Sequence, residues 1–157
     1  MAPVTVNGID ELRELTGREL GPSGWREVTQ EHIDRFAEVS GDDQWIHVDV
    51  ERAKEESPFG GTVAHGNLTL SLIDGFRRDV LRSGGFKLGV NYGWNKVRFP
   101  APVPSGAKVR AGVEVVSVDE VDDVGDGWWQ VAQTWTVEVE GNEKPACVAT
   151  SVGRVLV

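Results

Sequence analysis

The chain is short of cysteine, of histidine and of positive charge, and each shortage removes a class of function. A single cysteine, Cys147, leaves no internal disulfide and no cysteine-bound metal cluster, and it suits a reducing compartment, so a cytoplasmic location is expected. Sixteen Lys and Arg stand against 25 Asp and Glu, a formal net charge of −9. That sign opposes nucleic-acid binding, which depends on neutralising phosphates. No run of about 18 apolar residues occurs, and the opening residues lack a basic start followed by an apolar core, so neither a membrane span nor a signal peptide is expected. The three histidines are dispersed and follow no recognised ligand spacing. Asp42 and His47 are weak metal candidates at most, and no metal is expected.

What is present suits one domain with a sizeable core: 157 residues, 39% of them hydrophobic. Ile9, Leu12 and Leu15 mark a short amphipathic helix, closed by Gly17 or the Gly21-Pro22-Ser23-Gly24 loop. Residues 1–24 are accordingly expected as a helix-and-loop extension and 25–157 as the main domain. Thr29 offers an N-cap to a helix whose buried face is Ile33, Phe36 and Ala37, with Gly41 as its stop. Asp42 to His47 then reads as loop, Val50 to Glu56 as a solvent-facing helix and Ser57 to Gly61 as loop. From Asn67 to about Leu81, the apolar residues Leu68, Leu72, Phe76 and Val80 predict one long buried helix closed by Gly84-Gly85. The period then shifts from 3.6 to 2 in four stretches, 86–99, 107–118, 128–139 and 146–157, which read as strands joined by Pro-, Gly- and acid-rich turns. The expected fold is α+β: a curved antiparallel meander wrapped around the long central helix, the hot-dog arrangement.

Two features concentrate the chemistry. Ser40-Gly41-Asp42 is followed by His47 five residues after the Asp, and Ala64-His65-Gly66 opens the central helix. This pattern resembles the MaoC-like (R)-specific enoyl-CoA hydratase family. Asp43-Gln44-Trp45-Ile46, Asn91-Tyr92-Gly93 and Asn95 to Pro100 look like its NodN-like branch. The resemblance implies reversible syn addition of water to trans-2-enoyl-CoA, giving (3R)-hydroxyacyl-CoA, with the coenzyme A thioester as substrate and no separate cofactor. It also implies a homodimer, which the open edges of a lone curved sheet favour on physical grounds.

Such a reaction needs a group to take a proton from water, one to deliver a proton to the α-carbon, and donors for the thioester oxygen. By resemblance Asp42 and His47 hold the water, with the choice of base left open because the two share a proton. Gly66 is the candidate oxyanion donor, since the first N–H groups of a helix lack intrahelical partners. It reads equally as a small residue required by packing. His65 reads as support for the loop, Trp45 as a candidate lining of the acyl pocket, and His32 as a surface residue. Asp74 stands where some members carry Ser or Thr, and reads either as pocket-lining or as a partner of Arg77 or Arg78. Lys96 and Arg98 share one strand face and are candidates for the coenzyme A phosphates, against the plain reading of an alternating, half-exposed strand. Two other classes stay open: a thioesterase of the same fold and a non-catalytic acyl-CoA binding protein.

Overall fold

Thr29 Oγ1 accepts a hydrogen bond from the backbone N–H of His32, and His32 Nδ1 accepts one from the backbone N–H of Thr29, so both halves of a capping box start α2 (Gln30–Ser40). Gly41 ends it at φ 77°, a left-handed conformation that an L side chain resists. These two signals aim the residues that follow. The computed structural model describes residues 2–157. Before α2 come β1 (Val4–Asn7), α1 (Ile9–Arg13), β2 (Glu19–Leu20) and β3 (Arg26–Glu27). After it come α3 (Trp45–Val48), α4 (Val50–Glu56), α5 (Gly66–Ser71) and α6 (Ile73–Val80). The chain closes with β4 (Leu81–Gly84), β5 (Leu88–Arg98), β6 (Lys108–Val121), β7 (Trp128–Val139) and β8 (Cys147–Leu156).

The strands expected from period 2 are β5 to β8, and the fold is the expected hot-dog. Val109, Ala111, Val113 and Val115 of β6, with Trp135 and Val137 of β7, form one core with Leu68, Ile73, Phe76 and Val80 of the helices. Alternate residues along much of β6, β7 and β8 turn inward, so one sheet face encloses the helix. Cys147 is among the fully buried residues, and burial pushes its thiol up to about 11, as for an inert packing residue. Among the described residues no helix is long and apolar enough to cross a membrane.

Several sequence expectations are corrected. The sheet is not a simple meander: its order is β2-β6-β7-β8-β5, with β3 also on β6, so β5 pairs with β8 rather than with its sequence neighbour β6. The segment 99–107 is therefore a crossing rather than a hairpin turn, since β6 has β7 on one edge and β2 and β3 on the other. The central helix is not one uninterrupted element. It breaks at Leu72, where the Ser71 hydroxyl and the Leu72 N–H both donate to the Leu68 carbonyl and Gly75 N–H reaches back only three residues. A hydroxyl bonded back to the preceding turn loosens the regular ladder. Finally, Gly84-Gly85 does not close the helix. Leu81 is already extended, and 81–84 pairs in parallel with β1, from Val4↔Leu81 to Asn7↔Gly84. Residues 1–24 contribute Val6, Leu12, Leu15 and Leu20 to the same core. The 42–47 loop also holds a turn of helix from Trp45.

Candidate active site

The left-handed Gly41 turns the chain out of α2, and a local hydrogen bond from Asp42 N–H to Ser40 Oγ fixes the start of the loop. One helical turn later His47 points inward and is buried, while Asp42 keeps its side chain half exposed. His47 Nδ1 lies 2.7 Å from the Val63 carbonyl oxygen. A carbonyl only accepts, so Nδ1 carries the proton and Nε2 is left with a lone pair. That Nε2 faces the Asp42 carboxylate at 4.0 Å.

His65 closes the other side. Its Nε2 donates to the Asp42 carbonyl at 2.8 Å, pinning the loop by its backbone. Its ring stacks on His47 with centroids 3.8 Å apart and planes 25° from parallel, and Phe36 packs against its other flank at 4.9 Å. His65 Nδ1 is buried without a hydrogen-bond partner. The ligand atoms of Asp42, His47 and His65 lie within 4.8 Å of one another. Stacked imidazoles, however, direct their in-plane lone pairs along near-parallel paths, so this arrangement does not close round one ion without a ring turning.

Gly66 begins α5, and its N–H has no hydrogen bond among the described residues. A Cβ added there would sit 2.9 Å from the Phe99 ring, which lies directly over it. A side chain at this position therefore needs the half-exposed Phe99 ring to shift, whatever else the Gly66 N–H does. Beside it is an apolar cavity of about 310 Å3 lined by Ile46, Phe59, Val63, Gly66, Thr69 and Phe99 among others. Trp45 does not line that cavity, and lies instead under the Arg52 guanidinium at 4.2 Å. Asp74 is exposed on α6 and is not brought to the Asp42–His47 pair. It lines a second groove with Arg77. Lys96 and Arg98 are exposed on β5, past an irregularity in register between Trp94 and Lys96, with no carboxylate at ion-pair distance among the described residues.

Sequence reading missed Gln30. Its Nε2 donates to the His47 carbonyl at 2.7 Å and its Oε1 accepts from the Thr62 hydroxyl at 2.6 Å, tying α2, the His47 turn and the chain before Val63 together. It missed Phe36, Val63 and Phe99 as well. None carries a spacing that announces it, because each meets the site through tertiary contact.

The family model of the MaoC like domain matches residues 11–137. The 3-hydroxyacyl-thioester dehydratase Z of Mycobacterium tuberculosis is 48% identical over 150 residues, spanning 96% of this chain and 97% of that protein. Nodulation protein N of Rhizobium leguminosarum bv. viciae is 44% identical over 134 residues, 85% of this chain and 81% of that one. Among solved structures, an R-hydratase of Pseudomonas aeruginosa superposes with a TM-score of 0.66 at 22% identity, covering 90% of this chain and 85% of that one.

Proposed function

The chain belongs to the MaoC-like domain family, a family of dehydratases, and on that premise we propose that it is an (R)-specific enoyl-CoA hydratase, adding water reversibly to trans-2-enoyl-CoA. One observation carries the reading: the Asp42 carboxylate and the free Nε2 of His47 face each other at 4.0 Å, with the imidazole's other nitrogen committed to Val63. A water hydrogen-bonded to both at about 2.8 Å fits such a separation. The pair removes one proton from that water as its oxygen bonds to the β-carbon, and supplies a proton to the α-carbon as the thioester enolate collapses. Both transfers come from one side, which makes the addition syn and its reverse a dehydration. Either residue of the pair can serve as the base.

The enolate oxygen needs a donor, and the unpaired N–H of Gly66 at the start of the helical run is the candidate, with loss of such a donor costing about 10²–10³ in rate. His65 positions the Asp42 backbone rather than touching substrate. Lys96 and Arg98, exposed and without acid partners, suit the phosphates of coenzyme A. The unpaired edge of β5 presents Leu88, Val90 and Tyr92 to solvent, which favours a homodimer formed through that edge.

Crotonyl-CoA tests the reading. The conjugated-enone absorbance should fall without release of thiol, and a (3S)-specific dehydrogenase should not oxidise the product. Thiol release matching substrate loss would make the protein a thioesterase, a (3S) product would overturn the facial assignment, and no change across short and long enoyl chains would favour a binding protein.

A further inference from the structure

A groove of about 280 Å3 lies where α6 faces β5, β7 and β8, lined by neither Asp42, His47 nor Gly66, and its β5 wall of Gly89, Val90 and Asn91 belongs to the edge offered to a second copy. Its apolar walls come from Leu12, Phe86, Val131 and Val155, and its charged groups are Asp74, Arg77 and Arg154. Among the described residues the Arg77 guanidinium makes one hydrogen bond, from Nη1 to Gln133 Oε1, and has no carboxylate at ion-pair distance. It lies over the Trp135 ring at 5.0 Å from its centroid. Burial pulls its pKa below the ordinary value, partly offset by the charge of Asp74 one turn earlier. A guanidinium has five N–H donors and stays charged in proteins, so it cannot relieve desolvation by losing its proton. Arg154, lining the same groove, shows the satisfied case: Nε donates to Gln130, and Nη1 and Nη2 donate to the two oxygens of Asp123.

We propose that this groove binds a carboxylate carried on a short aliphatic chain, with the Arg77 guanidinium as its counter-charge. The planar fork matches a carboxylate through two parallel hydrogen bonds, and a half-buried charge such as Arg77 is stabilised by such a partner more than a fully exposed one. The apolar walls accept the chain, and the small volume limits its length. Asp74 also lines the groove but is exposed, so water screens its repulsion of an incoming anion. The carboxylate has two possible sources, a free carboxylic acid or the distal carboxylate of the acyl thioester itself. The second source rests on the hydratase reading.

Binding is measured by titration calorimetry on the full chain with hexanoate, hexan-1-ol and hexylamine. Hexanoate should bind saturably and more weakly as salt rises, with the alcohol and the amine failing to bind. Arg77→Met should weaken hexanoate by about tenfold or more, as loss of a charge-assisted pair does. Arg77→Lys, which keeps the charge without the fork, should fall between, and Asp74→Asn should tighten binding. Equal affinity for hexanoate and hexan-1-ol, no binding of hexanoate, or unchanged binding by folded Arg77→Met overturns the proposal. Should Arg77→Met fail to fold, Arg77→Lys and the wild-type ligand series decide it. For the source, trans-2-hexenedioyl-CoA is compared with trans-2-hexenoyl-CoA. A preference for the diacid that Arg77→Lys reduces assigns the site to the substrate's own end, whereas hexanoate altering turnover without such a preference assigns it to a free acid. A chain that binds hexanoate through Arg77 but hydrates neither thioester sinks the hydratase reading and leaves the groove assignment standing.

Discussion

Two polar sites lie along one helical run, and they are built in opposite ways. At its start, each histidine has one ring nitrogen tied to a backbone carbonyl, His47 to Val63 and His65 to Asp42, so tautomer and aim are set by chain lying within 23 positions. On α6, Arg77 meets an acceptor from β7, 56 positions away, and the rest of its fork has no protein partner among the described residues. The first site is a self-contained loop whose backbone aims its side chains. The second is made only when helix and sheet come together, and its charge awaits completion from outside.

The largest effect should break the first site without touching the second. Asp42→Asn and His47→Gln alter proton transfer with little change in volume, so each should lower hydration by about 10²–10⁴ while hexanoate binding stays as in wild type. Steady-state turnover of crotonyl-CoA by variants with unchanged circular dichroism checks this. A folded variant keeping more than about a tenth of turnover removes its residue from the mechanism. His32→Gln is the control, since glutamine at the third helical position serves the same capping box.

The contrast also explains how much was legible beforehand. His65, 23 positions from Asp42, was placed beside the pair by the family resemblance, whereas Asp42 and His47 lie five positions apart after a Gly that stops α2, so their convergence follows from local turn geometry. The inward faces of β6 to β8 were legible for the same reason, since period 2 is written into Val109, Ala111, Val113 and Val115. Gln30, Phe99 and Arg77 were not, because each meets its partner only through tertiary packing: Gln30 on the His47 turn and Thr62, Phe99 over Gly66, and Arg77 at Gln133 of β7. β5 lies on β8 instead of β6, a choice made by the whole core and absent from any local window. The pairing of 81–84 with β1 was hidden likewise: Leu81 continues the helical apolar stripe, and only the need of Val4 and Val6 for a neighbour turns it into strand.

Gly66 offers a sharper test of how tightly the first site is packed. The Cβ of Gly66→Ala would press on the Phe99 ring at 2.9 Å, an overpacking that costs about 1–3 kcal/mol. Phe99→Ala should relieve most of it, so a double-mutant cycle by urea denaturation should show strong coupling. In the double variant the N–H is kept and turnover should recover along with stability. Additive losses would mean that Phe99 swings aside freely and that the glycine answers to something else.

A smaller effect is expected at Gln30, the long-range tether of an otherwise local site. Gln30→Ala leaves the His47 carbonyl without its donor and the Thr62 hydroxyl without its acceptor. Each bond has a net worth of about 1 kcal/mol, so the unfolding free energy should fall by roughly 1–2 kcal/mol. Turnover should fall by less than in Asp42→Asn, because Val63 still holds the imidazole. An equal loss of turnover would show that the site is not self-contained and that the two sites differ less than their geometry suggests.

The smallest effect belongs to the satisfied arginine of the second site. Arg154 donates to Asp123, and that hydrogen bond is the main cause holding the Asp123 carboxyl below its ordinary value of 3.8. A carboxyl depressed in the folded state stabilises the fold above its unfolded value, and that contribution is lost as pH falls through the lower folded value. Wild type should therefore melt slightly higher than Asp123→Asn at neutral pH, and the two curves should converge in acid below about pH 3.8. Because Asp123 is exposed the difference should be small and should shrink with salt. The same variant makes Arg154 resemble Arg77, a cation in the groove without an acid, so hexanoate affinity should rise. If it does not, Arg154 is shielded from the groove by its own packing on Tyr92, and Arg77 alone carries the charge that a carboxylate would meet.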